Sequence, residues 1–238
     1  MRLRWLGVLS VLALLGLGYF ALVAAPPDAE QGDAYRLLYL HVPCAWLAYL
    51  AFFVTFVCSV LWLVPRTRSA TWDLLAGASA QVGVLFTGLT LIMGSIWGRP
   101  IWGTWWEWDA RLTTTIVLFF LYLGYLALRR TGSTATQRGK VCAIAAIIAF
   151  VDVPIVHFSV TWWQTLHQDG SVFNDKMDVG LEGFWMQFTL LYSVFAFTLL
   201  YVFLVLARFQ LAEMEEGAEE RELQRAIDAR IHQQKVLV

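Results

Sequence analysis

Residues 42–64 read VPCAWLAYLAFFVTFVCSVLWLV, an apolar run without a single Asp, Glu, Lys or Arg. As a helix rising about 1.5 Å per residue it covers roughly 34 Å, enough to cross a bilayer core of about 30 Å. Comparable runs occupy residues 6–24, 74–96, 113–128, 141–156 and 184–207. The whole chain follows this pattern, with 59% apolar residues and a mean hydropathy of +0.61. A transmembrane barrel would show shorter segments of alternating polarity, so the six runs predict helices, the other structure that satisfies its backbone in lipid. The expectation is an all-α integral membrane protein with one polytopic domain over residues 1–238.

The first run carries Arg2 and Arg4 before it and Val23-Ala24-Ala25 at its end, which also resembles a signal peptide with a cleavage site. Its apolar stretch is longer than a signal core, so a retained helix is expected.

Basic residues set the orientation. With a cytoplasmic N-terminus, Arg2, Arg4, Arg66, Arg68, Arg129, Arg130, Arg138, Lys140, Arg208, Arg221, Arg225, Arg230 and Lys235 fall on the cytoplasmic side. Arg36, Arg99, Arg111 and Lys176 fall opposite. Thirteen against four meets the positive-inside rule, although five of the thirteen lie from Arg208 onward. Both termini are therefore expected in the cytoplasm, with residues 209–238 forming a solvated amphipathic tail helix that continues the last span. The loops at 97–112 and 157–183 are expected in the periplasm, the second holding a short helix over residues 162–167.

The net charge of −1 brings no basic, aromatic-laced patch for nucleic acid. P-loop, nucleophile-elbow and zincin motifs are absent, which leaves ATP binding and hydrolysis without residues. Cys44, Cys58 and Cys142 form no Cys-x-x-Cys pair and read as packing residues. Within the spans, the polar groups noted are Gln81, Gln187 and scattered Ser and Thr, too few to mark a conduction path through this chain alone.

The chemistry concentrates on the expected periplasmic side. Residues 97–109, WGRPIWGTWWEWD, hold five of the twelve tryptophans: Trp97, Trp102, Trp105, Trp106 and Trp108. An interfacial aromatic belt needs one or two anchors per helix end, so five rings among Gly98, Pro100 and Gly103 point to a platform for a flat apolar ligand. Asp109 and Arg111 are expected to fix this loop as an ion pair or through its backbone, and Arg99 or Arg111 to meet an anionic ligand group. His41, His157 and His167 lie on the same side, whereas His232 sits in the tail. A lone interfacial histidine is usually an anchor, but several facing an aromatic platform suit haem iron.

The segment WGTWWEWDARLT at residues 102–113 resembles the tryptophan-rich signature of the haem-handling proteins of cytochrome c biogenesis. The match is close to the haem-handling protein C (CcmC) family of the bacterial maturation pathway. Supporting segments are YLHVP at residues 39–43 and HFSVTWWQTLHQ at residues 157–168, and the likeness covers about residues 30–207. It implies six helices in the bacterial inner membrane and a role in haem handling rather than catalysis. It also implies haem b held non-covalently at the periplasmic face, with His41 and His167 as iron ligands and His157 as the alternative to His167. Trp97, Trp102, Trp105, Trp106, Trp108, Asp109, Arg111, Trp162 and Trp163 would surround it. The implied partners are the haem chaperone CcmE, the ABC transporter subunits CcmA and CcmB, with ATP hydrolysis in CcmA, and the small membrane protein CcmD.

Three other readings use the same residues. A b-type membrane oxidoreductase would bury histidine pairs inside its helices, whereas the histidines here keep to one rim. A permease conducting haem would need polar groups along its spans. The larger haem synthetase with the same signature has more helices and a large periplasmic domain.

Overall fold

The computed structural model describes residues 2–131, 134–167 and 183–236. Among them it contains α1 (Arg2–Tyr19), α2 (Leu38–Leu63), α3 (Ala70–Trp102), α4 (Ala110–Leu128), α5 (Ala135–Phe150), α6 (Asp152–Trp162) and α7 (Phe184–Val236). A wider π turn at Phe20–Ala24 prolongs α1, and a 3-10 turn at Asp33–Leu37 leads into α2. Six helical stretches are long and apolar enough to cross a membrane: Leu3–Ala24, Asp33–Leu63, Ala70–Trp102, Ala110–Leu128, Ala135–Trp162 and Phe184–His232. The all-helical reading and the number of spans agree with the sequence.

The bounds differ, because apolar runs mark what is buried in lipid and not where helices stop. Polar caps carry the helices further. The Ser69 hydroxyl accepts from the Thr71 amide and starts α3 at Ala70, four residues before its apolar run. At the other end α3 continues through Trp97 and closes on Gly103, whose φ of 76° is the left-handed conformation that ends helices readily when the residue is glycine. Only residues 103–109 of the expected loop over 97–112 are therefore non-helical. The tail does continue α7 as an exposed helix.

The fifth span is broken. Pro154 lacks the N–H that would bond the Phe150 carbonyl, so α5 ends there and α6 restarts at Asp152. The sequence reading overlooked Asp152, the one acidic residue within residues 141–156. A charged side chain at mid-helix costs about 2.5–3.5 kcal/mol on membrane-insertion scales, so its presence calls for a reason.

The bundle is organised on α2 and α3, which run antiparallel in close contact. Small residues permit that approach. A methyl group added at Gly83 would lie 2.6 Å from Phe52 and 3.0 Å from the Ala51 methyl. Ser79 of α3 donates to the Ala51 carbonyl at 2.7 Å and pairs with the Tyr201 hydroxyl of α7 at 2.8 Å, tying three helices together where lipid offers no competing partner. One apolar cluster joins α1, α2, α3 and α7. A second joins α2 and α3 to α4, α5 and α6 around the Phe52–Tyr122 stack, with ring centroids 3.6 Å apart. The three cysteines are free and buried.

Helix alternation then sorts the connectors. Those after α1, α3 and α6 lie at one end of the bundle, and those after α2 and α4 at the other. Every residue singled out for chemistry lies at the three-connector end.

Candidate functional site

Asp109 is the hub. Its Oδ1 accepts from the Leu112 amide at 2.8 Å and so caps α4. Its Oδ2 accepts from the Leu166 amide at 3.1 Å and pairs with His167 Nδ1 at 3.3 Å. Burial favours the neutral carboxyl. The hydrogen bonds from His167 and from the Leu112 and Leu166 amides outweigh it and hold the Asp109 pKa below the usual carboxylate range.

Of the two ways Asp109 was expected to fix the loop, the backbone hydrogen bonds are present and the ion pair is not, and a second expectation is corrected. The described residues show no Asp109–Arg111 ion pair; positions two apart on a helix start do not face each other, and the carboxylate is already committed to amides and to His167. The short helix over residues 162–167 is absent too. The chain turns extended at Trp163, and its next amides bond to side chains: Leu166 to Asp109, and His167 to the Thr165 hydroxyl at 2.9 Å. Of the connector expected over 157–183, residues 157–162 are helical and 168–182 lie outside the described residues.

Around this hub the Trp102 ring stands edge-on to His167, centroids 5.0 Å apart. Trp102 folds back over Gly98, where an added methyl would approach its ring to 2.9 Å. Arg99 donates to the Gly103 carbonyl, and the Thr104 hydroxyl bonds the Trp106 carbonyl at 3.0 Å, so the short loop is braced from within. Trp106 and Trp108 meet edge-to-face at 5.3 Å. Trp108, Asp109, Ala110, Thr113, Thr114, Trp163 and Gln164 line an open groove of about 410 Å³.

His41 comes from α2. It lies in the first turn of α2, not ahead of the helix, and its ring covers Gly94 of α3. Trp97 stands edge-on to it at 5.8 Å. Trp97 is held in turn by Tyr35 at 5.9 Å and by a 3.1 Å hydrogen bond from its Nε1 to Gln31. His41 is within electrostatic reach of both His167 and Arg111, and Arg111 also reaches His157. The Arg111 guanidinium is thus felt at two histidines and has no carboxylate partner among the described residues.

The remaining predicted residues lie further out. His157 sits on α6 between Tyr49 and Phe158. Trp162 stacks on Phe158 and meets Trp163 edge-to-face. Trp105 and Trp108 are the most open rings of the loop, at 59% and 73% exposure.

Chemically, the donor set fits a flat macrocycle carrying a metal. His41 Nδ1 and Trp106 Nε1 are buried without a hydrogen-bond partner among the described residues. An imidazole nitrogen in that state is open to a metal, and a buried indole N–H to an acceptor. Sequence reasoning missed Gly94, Gln31 and Tyr35. Gly94 gives a signal only once α2 and α3 are known to touch.

The family model described as Heme exporter protein C matches residues 1–224. The chain is similar to Heme exporter protein C of Haemophilus influenzae, 40% identical over 212 residues, which is 87% of this chain and 83% of that protein. Its likeness to Heme exporter protein C of Bradyrhizobium diazoefficiens is 42% identity over 207 residues, 86% of this chain and 76% of that one. For Heme exporter protein C of Escherichia coli the identity is 38% over 206 residues, 87% and 81%.

Proposed function

The chain belongs to the heme exporter protein C family, and we propose that it is the haem-presenting subunit of a cytochrome c maturation system. In this role it holds haem b non-covalently at the periplasmic face of the bacterial inner membrane and delivers it to the chaperone CcmE. CcmA, CcmB and CcmD are its membrane and transporter partners, and CcmA hydrolyses the ATP. The chain itself is not an enzyme. Its termini are cytoplasmic, a reading the thirteen-to-four distribution of basic residues supports.

The observation that carries this reading is the Asp109–His167 contact beside Trp102, with His167 within electrostatic reach of His41. A carboxylate on Nδ1 fixes the proton there and leaves Nε2 as the ligating atom, the usual way a protein orients a metal-binding histidine. His41 supplies the second nitrogen from a rigid helix, while Trp97, Trp102, Trp105, Trp106 and Trp108 cover the ring. Trp162 and Trp163 form the outer rim. Arg111 takes an anionic group of the ligand, since nothing within the described chain neutralises it. His41 and His167 would hold the iron by coordination, with no covalent attachment of the macrocycle to the chain.

The division of labour suits delivery. His41 belongs to a helix core, but His167 stands on a connector joined to α4 through one carboxylate oxygen. Letting go of that contact frees one ligand and leaves the other in place.

The test is absorption spectroscopy of the chain purified from haem-replete cells, with CcmE absent or present. His41→Ala and His167→Ala should each lose haem and the six-coordinate spectrum, and His157→Ala should keep both. Unchanged haem in both of the first two variants overturns the ligand assignment. Loss only in His157→Ala transfers the second ligand to His157.

A further inference from the structure

Residues 25–32, APPDAEQG, join the π turn after α1 to the 3-10 turn before α2 and hold no ligand or ring of the haem site. The segment is nevertheless tightly built. Asp28 and Gly32 exchange two backbone hydrogen bonds, at 3.2 Å and 3.0 Å, and Asp28 Oδ1 accepts from the Glu30 and Gln31 amides at 3.0 Å and 2.7 Å. Gly32 closes the loop at a φ of 57°, which L side chains rarely permit. The Gln31 carbonyl accepts from the Ala34 amide at 3.2 Å, so both polar groups of its backbone are fixed. Arg36 donates to the Ala25 carbonyl at 3.0 Å and ties the far end of the segment to its start.

This loop presents an acceptor to the haem site. Gln31 Oε1 receives the Trp97 indole N–H at 3.1 Å, and Tyr35, from the turn that follows, meets the same indole edge-on at 5.9 Å. Trp97 in turn stands edge-on to His41 at 5.8 Å. The imidazole therefore meets two features of α3, three residues apart and so on one helix face: the backbone at Gly94 and the ring of Trp97. The first is main chain in a packed helix and cannot swing. The second turns about two side-chain bonds, so whatever fixes the Trp97 rotamer fixes that side of the His41 ring.

We propose that Gln31 is a positioning residue of the haem site: held by the Asp28–Gly32 loop, it fixes Trp97 and, through Trp97, the plane of the His41 imidazole on the iron. The assignment rests on the haem-presenting role and on His41 as a ligand. Groups behind a metal-binding histidine commonly orient it by bonding the ring directly. Here the brace stands one ring further back, so it governs the angle of the ligand plane and not which ligand binds.

The full chain is purified without haem, titrated with haemin in detergent, and followed by absorption and by electron paramagnetic resonance of the low-spin ferric state, whose g values report the relative angle of the two axial imidazole planes. Gln31→Leu is expected to bind haemin roughly three- to tenfold more weakly, the loss of one net hydrogen bond, and to shift the g values. The thermal midpoint of its haem-free chain should stay within about 2 °C of wild type. Asp28→Ala, which frees the Gln31 amide, is expected to shift the g values in the same way, and Asp28→Asn, which keeps an acceptor, to match wild type. On a Trp97→Phe background, where the donor is already gone, Gln31→Leu is expected to add nothing.

Wild-type affinity and g values in Gln31→Leu, with His41→Ala losing haem, overturn the positioning role and leave the haem site standing. A lowered midpoint with unshifted g values does the same, because the loop then serves stability alone. A further loss on the Trp97→Phe background overturns the route through Trp97. Should Gln31→Leu fail to fold, the Asp28→Ala and Asp28→Asn pair decides on the same readings. If His41→Ala keeps wild-type haem binding, the ligand assignment and the positioning role fall together.

Discussion

One oxygen of Asp109 receives both the His167 ring and the Leu166 backbone amide, at 3.3 Å and 3.1 Å, so a single carboxylate joins the start of α4 to the connector after α6. Asp109→Ala should therefore act at two levels. Losing the cap costs α4 about 1 kcal/mol. Losing the orienting partner of His167 should weaken haem binding roughly 10- to 100-fold. Haem titration of the purified chain separates the two, because Asp109→Ser keeps a cap and should recover stability without recovering affinity. Equal affinity in wild type and Asp109→Ala would refute the orienting role.

The same carboxylate gives a pH dependence whose sign is fixed. Hydrogen bonds hold the Asp109 pKa below that of an unfolded aspartate, about 3.9, so the unfolded chain binds the proton more tightly. The stabilisation is present above the ordinary carboxylate pKa and is lost as pH falls through the lowered folded value. The thermal midpoint of wild type should exceed that of Asp109→Ala by a constant margin from about pH 8 to about pH 5, and the margin should shrink below about pH 4. A margin that grows on acidification would contradict this.

The sequence revealed most where a single residue type carries the physics. Apolar runs such as residues 42–64 announced the helices, and the crowding of tryptophan at 97–109 marked the end of the bundle where the histidines gather. What it hid depends on pairing between distant segments. That Asp109 turns toward His167 and not Arg111 follows from the cap geometry of α4 meeting a connector 57 residues later. Likewise, the seat of His41 on Gly94 exists only because α2 and α3 are packed together. Asp152 is legible in the sequence as a charge in an apolar run.

Arg129 and Asp73 form a two-pronged pair at 2.8 Å and 3.0 Å between α4 and α3, with side chains only 13% and 12% exposed. Gly77 leaves room for it, since an added methyl would come within 2.5 Å of the guanidinium. Removing one partner strands the other charge, so Asp73→Ala should destabilise the chain by about 3–5 kcal/mol. Replacing both, as Asp73→Leu with Arg129→Met, should recover much of that loss. Thermal unfolding in detergent checks both, and a double variant no more stable than Asp73→Ala would show that charge burial is not the cause.

Gly94 tests the other half of the site without touching a ligand. An added methyl would stand 3.0 Å from Cε1 of His41, closer than most real contacts, so the ring must give way by a few tenths of an ångström. Gly88, six residues earlier on α3, is the control: its methyl would meet only Phe119 at an ordinary 3.5 Å. Either change to alanine should favour the helix itself by up to about 1 kcal/mol. Gly94→Ala should nevertheless bind haem at least several-fold more weakly than Gly88→Ala, with an altered absorption spectrum from the displaced imidazole, because metal ligation tolerates little ring movement. If both variants bind haem as wild type does, the position of His41 over α3 does not set the iron ligation.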